Sequence, residues 1–100
     1  MIPRIALGAV LTCAAFAVKA QDDAVARSLA ATCANCHGTD GRSVTKEVPA
    51  LAGQPKEFLV SQMKAFQEGK RPATVMHQIT KGYTDAQIDL LAGYLSAQKK

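Results

Sequence analysis

The pentapeptide Cys33-Ala-Asn-Cys36-His37 constrains this chain more than any other stretch of its sequence. Two thiols and an imidazole at C-x-x-C-H spacing are typical of the covalent attachment of a c-type haem. Each thiol can add to one vinyl group of the porphyrin, and the histidine after the second thiol is then carried beneath the iron. Cys33 and Cys36 are therefore the predicted thioether residues, and His37 is the predicted proximal iron ligand.

Two other chemistries use closely spaced cysteines. A structural zinc site needs two further ligands at related spacing, and the other cysteine, Cys13, lies in a segment that we expect to be removed. A redox dithiol of the thioredoxin type follows a strand, whereas residues 24–34 have a helical pattern. Both observations favour the haem interpretation.

The first twenty residues have the form of a secretory signal peptide. Arg4 is followed by an apolar run over residues 5–18, and the small Ala20 sits where a signal peptidase cleaves. The run is too short to span a bilayer comfortably. We therefore expect residues 1–20 to be removed on export to the periplasm, which leaves residues 21–100 as one monohaem domain.

The removal of this segment changes the charge balance. The whole chain has 12 basic and 8 acidic residues, and loss of Arg4 and Lys19 leaves a net charge of +2, which gives no reason to expect a nucleic acid partner.

Cys13 is a candidate for lipid attachment, but Thr12 replaces the small residue that such a site favours, so no membrane anchor is expected. A domain this small has a marginal core, so a covalent haem would also stabilise the fold.

Helical signals dominate residues 21–100, and no strand or internal repeat is evident. Asp22-Asp23 can cap a first helix that leads into the haem motif. The apolar positions of this helix are Val25, Leu29 and Ala30. Glycine and proline recur in residues 38–54, which we expect to form a loop against one side of the haem.

Two further helices are predicted after this loop. Pro55 is well placed to begin the second helix and Gly69 to end it. The apolar face of the second helix comprises Phe58, Leu59, Met63 and Phe66. The last helix opens with a capping box in which Thr84 accepts from the amide of Gln87. Its inward stripe comprises Ile88, Leu91, Tyr94 and Leu95. The predicted fold is all-α, with three to five helices wrapped around one covalently attached haem.

The second axial ligand decides the chemistry of the iron, and thioether and imidazole are the usual neutral ligands of a low-spin haem. Met63 lies among helical core positions, where a methionine commonly fills space. Met76 lies 39 residues after His37 in a proline-containing loop between helices, so it is the predicted sixth ligand. His77 is the neighbouring alternative and would give a bis-histidine haem of lower potential.

The haem motif, the Pro49-Ala-Leu51 segment, the methionine loop and the helix bearing Tyr94 together resemble class I c-type cytochromes. Within that class, several segments of residues 51–85, and residues 71–85 most specifically, resemble the cytochrome subunits of flavocytochrome c sulfide dehydrogenases, in their single-haem form. The resemblance implies that the Pro49 carbonyl accepts a hydrogen bond from His37. It also implies a flavoprotein partner that oxidises sulfide and passes electrons to this haem. The haem would then pass these electrons to a soluble cytochrome. No catalysis by this chain itself is expected.

Two other classes of function stay open at this point. A free-standing periplasmic electron shuttle would have the same fold and ligands, but it would dock briefly to several partners. A catalytic or gas-binding haem protein needs an open iron position, and therefore requires that Met76 is absent from the iron or is lost easily.

Overall fold

The computed structural model describes the backbone of residues 4–100 and the side chains of residues 13–100. Over this range the chain forms five α-helices and no β-strand. The helices are α1 (Arg4–Ala31), α2 (Ala34–His37), α3 (Lys56–Gln67), α4 (Met76–Ile79) and α5 (Asp85–Ser96). Short 3₁₀ turns cover Thr39–Gly41 and Thr80–Gly82. The predicted all-α class is confirmed.

The first helix is longer than the sequence pattern predicts. Asp22 and Asp23 lie inside α1 and not at its N-terminus, so the predicted cap is wrong. Alanine-rich sequence favours a continuous helix here, and so does the ion pair between Lys19 and Asp23, which are one turn apart at 3.9 Å. Residues 1–3 of the predicted signal peptide lie outside the described range, and cleavage after Ala20 stays a prediction. Within the described range, the helices are too short or too polar to cross a membrane.

The core forms where α5 packs against α1 and α3. Its central cluster comprises Ala30, Leu59, Leu91, Ala92 and Leu95. Ile88, Leu91 and Leu95 are at most 1% exposed, in agreement with the predicted inward stripe of α5. Full burial of each such side chain stabilises a fold by about 1.5–3 kcal/mol, so α5 contributes much of the packing energy of this small domain.

Two apolar positions that the pattern assigned to buried faces are exposed. Val25 is 42% exposed and Phe58 is 48% exposed. On α1, the buried line runs through the small residues Ala26 and Ala30, which allow close helix approach. On α3, Leu59 points into the core cluster, and its neighbour Phe58 lies about 100° further round the helix.

The two ends of α3 and the start of α5 follow the sequence signals closely. The amide of Gln87 donates to Thr84 Oγ1 at 3.1 Å, and the amide of Thr84 donates to Gln87 Oε1 at 2.9 Å, which completes the predicted capping box. Such a cap is worth about 1 kcal/mol. Pro55 precedes α3 as its N-cap, with an extended ψ of 134°, and Gly69 follows the helix at φ +70°.

The long segment between α2 and α3 is irregular apart from one 3₁₀ turn, and backbone hydrogen bonds fold it back on itself. The amides of Leu51 and Ala52 both donate to the carbonyl of Gly41, at 2.8 and 3.1 Å. The amide of Gly53 donates to the carbonyl of Leu95 at 3.0 Å. This segment is therefore attached to the end of α5.

Candidate haem attachment and axial ligand site

The two thiols of the C-x-x-C-H motif lie on one turn of helix. Cys33 directly precedes α2, and its carbonyl accepts from the amides of Cys36 at 3.3 Å and His37 at 2.9 Å. Residues three apart on a helix share a face, so this turn brings both sulfurs to the same side. Cys33 is partly buried and Cys36 is exposed. Two thiols arranged in this way can bond to adjacent edge groups of one planar ring.

Burial raises the pKa of the Cys33 thiol. The Thr32 hydroxyl opposes this shift through a hydrogen bond, and the neighbouring Cys36 adds to it. A thiol with a raised pKa stays protonated near neutral pH, whereas an activated redox dithiol needs a lowered one. The environment of Cys33 therefore does not match that of a thioredoxin-type dithiol.

His37 is the last residue of α2, and only 7% of it is exposed. Its Nδ1 lies 2.7 Å from the backbone carbonyl oxygen of Pro49, to which it can only donate. A neutral imidazole that donates from Nδ1 keeps an unprotonated Nε2, which is the nitrogen able to bind a metal. The Pro49 carbonyl therefore fixes both the tautomer and the orientation of the ring.

Met76 is the first residue of α4 and is partly buried. Its backbone carbonyl accepts a hydrogen bond of 2.8 Å from Thr80 Oγ1, and Thr80 is fully buried. The helix that carries Met76 packs on α3 and continues directly into the 3₁₀ turn that starts at Thr80. Met76 therefore lies on a short helical turn, whereas the sequence pattern predicts that it lies in a loop between helices.

The two other ligand candidates have different surroundings. Met63 on α3 packs against the core cluster, which matches a space-filling role. His77 follows Met76 on α4, and its Nδ1 is buried without a hydrogen-bond partner in the described structure. No group of three or more His, Cys, Asp or Glu side chains is placed to share a metal ion in the part of the chain that the structure describes.

The donor set fits a covalent haem. The fold supplies two thiols on one helical face, an imidazole whose Nδ1 is already engaged, and a thioether on a separate helix. An imidazole and a thioether are one of the ligand pairs that a low-spin haem iron takes, and a pair of imidazoles is another.

Several polar residues beside this site were missed by the sequence reasoning. Gln67 at the end of α3 donates to the carbonyls of Thr80 and Tyr83, and the Tyr83 phenol forms a hydrogen bond with Thr32 next to Cys33. These pairs are far apart in sequence, so no local pattern marks them. Only the spacing of four residues between Met76 and Thr80 was a readable signal, because a threonine in a helix can bond to the carbonyl four residues earlier.

Comparison with known proteins shows which family the chain belongs to. The family model described as cytochrome c matches residues 23–99. The chain belongs to the cytochrome c family. With five helices and no strand in its described range, this cytochrome has the class I fold, and it carries one covalently bound haem c.

Its relatives are of two kinds. One kind is the cytochrome subunit of a larger enzyme, and the other is a short cytochrome. The cytochrome subunit of sulfide dehydrogenase from Chlorobaculum tepidum is 37% identical over 84% of this chain and 76% of its own length. Cytochrome c-554(548) from Halomonas halodenitrificans is 36% identical over 80% of this chain and all of its own length.

A solved structure is also similar. Cytochrome c4 of Acidithiobacillus ferrooxidans shares 42% identity and a TM-score of 0.62 over 65% of this chain. This cytochrome spans only 37% of that chain, so the resemblance concerns one part of the larger protein.

Proposed function

We propose that this cytochrome is a periplasmic electron carrier that receives electrons from a sulfide-oxidising flavoprotein and delivers them to another soluble cytochrome. Electron transfer as such follows from membership of the cytochrome c family. The similarity to the sulfide dehydrogenase subunit, which extends over 84% of the chain, is the observation that carries the identity of the partner.

We assign the cofactor contacts to residues of two helical turns. When bound, haem c supplies an iron that takes up and releases one electron at a time. Cys33 and Cys36 anchor the ring through thioethers, and their common helical face fixes its orientation relative to α2. Covalent attachment to the turn that directly follows α1, which packs on α5, keeps the cofactor in place through repeated oxidation and reduction.

His37 and Met76 are the proposed axial ligands. The hydrogen bond from His37 Nδ1 to the Pro49 carbonyl holds the ring with Nε2 free to bind, so the ring would need no reorientation when the iron changes charge. The thioether of Met76 is a soft ligand that raises the reduction potential relative to a second histidine. A carrier with two fixed ligands exchanges electrons without binding substrate at the iron.

The sulfur chemistry belongs to the flavoprotein in this proposal. Oxidation of sulfide to elemental sulfur removes two electrons, and a flavin can accept both and release them singly. This cytochrome takes up one electron at a time, so it acts after the flavin and not on sulfide itself.

Reconstitution with the flavoprotein that accompanies this cytochrome in mild periplasmic extracts tests the proposal. Under anaerobic conditions, sulfide should reduce the haem rapidly when both proteins are present and much more slowly with either protein omitted. A matched assay with thiosulfate in place of sulfide controls for the choice of donor. The partnership would be contradicted if no flavin-bearing protein accompanies this cytochrome, or if sulfide reduces the haem at the same rate with and without the flavoprotein that does.

A free-standing electron shuttle is the second candidate. It is favoured by the relative from Halomonas halodenitrificans, whose full length is matched by 80% of this chain. A shuttle would elute as a monomer from native extracts and exchange electrons with several partners at ionic-strength-dependent rates. A stable subunit would co-elute with its flavoprotein at the physiological salt concentration.

A further inference from the structure

We infer that Gln67 is a positioning residue that holds Met76 in place for the iron. This inference rests on the proposed axial role of Met76. Gln67 ends α3, and its Nε2 donates to the Thr80 carbonyl at 2.7 Å and to the Tyr83 carbonyl at 3.0 Å. A primary amide has two N–H donors, so one side chain can serve both carbonyls at once.

The two acceptors lie at the two ends of one turn. Thr80 opens the 3₁₀ turn Thr80–Gly82, and Tyr83 follows it directly. The Tyr83 amide also donates to the Thr80 carbonyl at 3.2 Å, so the turn is closed on itself before Gln67 binds it. Gln67 therefore attaches the whole closed turn to α3, and not only one carbonyl group of a flexible segment.

This turn is connected directly to Met76. Thr80 Oγ1 donates to the Met76 carbonyl at 2.8 Å, and Thr80 is fully buried. The helix that carries Met76 is only four residues long, and an isolated helix of one turn is not stable in water. The position of α4 consequently depends on tertiary contacts. Two of these are the hydrogen bonds from Gln67, which reach the 3₁₀ turn that follows α4 directly.

The same turn is also tied to the haem attachment side. The Tyr83 phenol lies 2.7 Å from Thr32 Oγ1, and Thr32 directly precedes Cys33. A continuous series of hydrogen bonds thus runs from the residue beside the first thioether, through Tyr83 and Gln67, to the helix of Met76. This series connects the attachment motif to the turn that carries the proposed sixth ligand.

Imidazole binding to the ferric protein measures how readily Met76 leaves the iron, because imidazole competes for the same position. In the Gln67→Met variant, which keeps the side-chain length but removes both donors, we expect imidazole to bind about tenfold more tightly, equivalent to ~1.4 kcal/mol. Amide hydrogen exchange should also become faster in residues 76–83 but not in residues 88–95.

Gln98→Met is the matched control. Gln98 Nε2 donates to the Tyr94 carbonyl at 3.0 Å, so this substitution also removes a glutamine-to-backbone bond, but at the end of α5. Its imidazole affinity should stay within about twofold of the wild-type value. If Gln67→Met does not fold, Gln67→Asn tests the same point, since its amide is one methylene too short to reach both carbonyls.

The possible outcomes separate this inference from the proposed function. A Met76→Ala variant should bind imidazole far more tightly than the wild type. If it does not, Met76 is not the ligand, and the positioning role falls with it. If Met76→Ala does bind imidazole more tightly, the ligand assignment stands. The role of Gln67 is then overturned if the imidazole affinity of the Gln67 variants equals that of the wild type, or if that of Gln98→Met changes as much as theirs.

Discussion

The phenol of Tyr94 on α5 donates a hydrogen bond of 2.7 Å to the carboxylate of Asp40, 54 residues earlier in the chain. Asp40 lies in the 3₁₀ turn just after the C-x-x-C-H motif and has a left-handed φ of +54°. Aspartate tolerates this conformation better than most residues. Arg42 reinforces the contact, with Nη1 at 3.5 Å from Asp40 and Nε donating to the Lys99 carbonyl at 2.8 Å. The last helix therefore holds the loop that follows His37.

Removal of this hydrogen bond should destabilise the protein measurably. We expect Tyr94→Phe to lower the free energy of unfolding by about 1 kcal/mol, because it leaves the Asp40 carboxylate without its phenol donor. Urea unfolding of the haem-loaded protein measures the change. In a double-mutant cycle, Asp40→Ala should make the Tyr94→Phe substitution nearly neutral, and an undiminished effect in that background would show that the loss arises elsewhere.

The same contact predicts a pH dependence. The hydrogen bond to Asp40 is the main cause that raises the pKa of Tyr94, with burial and the Asp40 charge adding to it. The pKa of Tyr94 is thus higher in the folded than in the unfolded chain. The stabilisation is therefore complete below the unfolded value of about 10 and is lost as the pH rises through the folded value.

Ultraviolet titration of tyrosinate can follow this ionisation, since the chain has only two tyrosines. The Tyr94 step is identified as the one missing in Tyr94→Phe, and it should move to lower pH in Asp40→Asn. A Tyr94 step that is the same with Asp40 and with asparagine would disprove the assigned cause.

Much of the fold could be predicted because its determinants are local. The helix that leads into the haem motif and the capping box at Thr84 each depend on residues within a few positions of one another. The inward stripe of α5 follows from helical periodicity alone, and its members Ile88 and Leu91 are almost fully buried.

The rest depends on contacts between distant residues. The pairs Tyr94 with Asp40 and Gln67 with Tyr83 join separate elements, and neither has a sequence signature. The exposure of Phe58 also could not be predicted, because periodicity identifies an apolar face but not which of its members the neighbouring helix covers. Axial ligation by Met76 stays a prediction for the same reason, since it depends on how α4 is placed by the remainder of the chain.

Gly38, which follows His37, should not tolerate a side chain. Its φ is +83°, and a Cβ added there would collide with the backbone of Arg42. We expect Gly38→Ala to lower stability by about 2 kcal/mol or more, from backbone strain together with the collision. Gly82→Ala is the matched control, because a Cβ there meets nothing within 4 Å. Thermal unfolding and the yield of haem-loaded protein would show the difference, and equal behaviour of the two variants would contradict the structural argument.

The central claim is that His37 and Met76 are the two axial ligands of a covalently attached haem. Its most direct test is the visible spectrum and reduction potential of the wild-type protein beside Met76→His and His77→Asn. The wild type and His77→Asn should share the weak far-red band of a sulfur-ligated ferric haem. Met76→His should lose the band, stay six-coordinate and have a potential lower by roughly 0.2 V, within the about 0.8 V range that axial ligands cover. Absence of the band in the wild type, together with a potential that is unchanged in Met76→His but shifted in His77→Asn, would contradict the assignment.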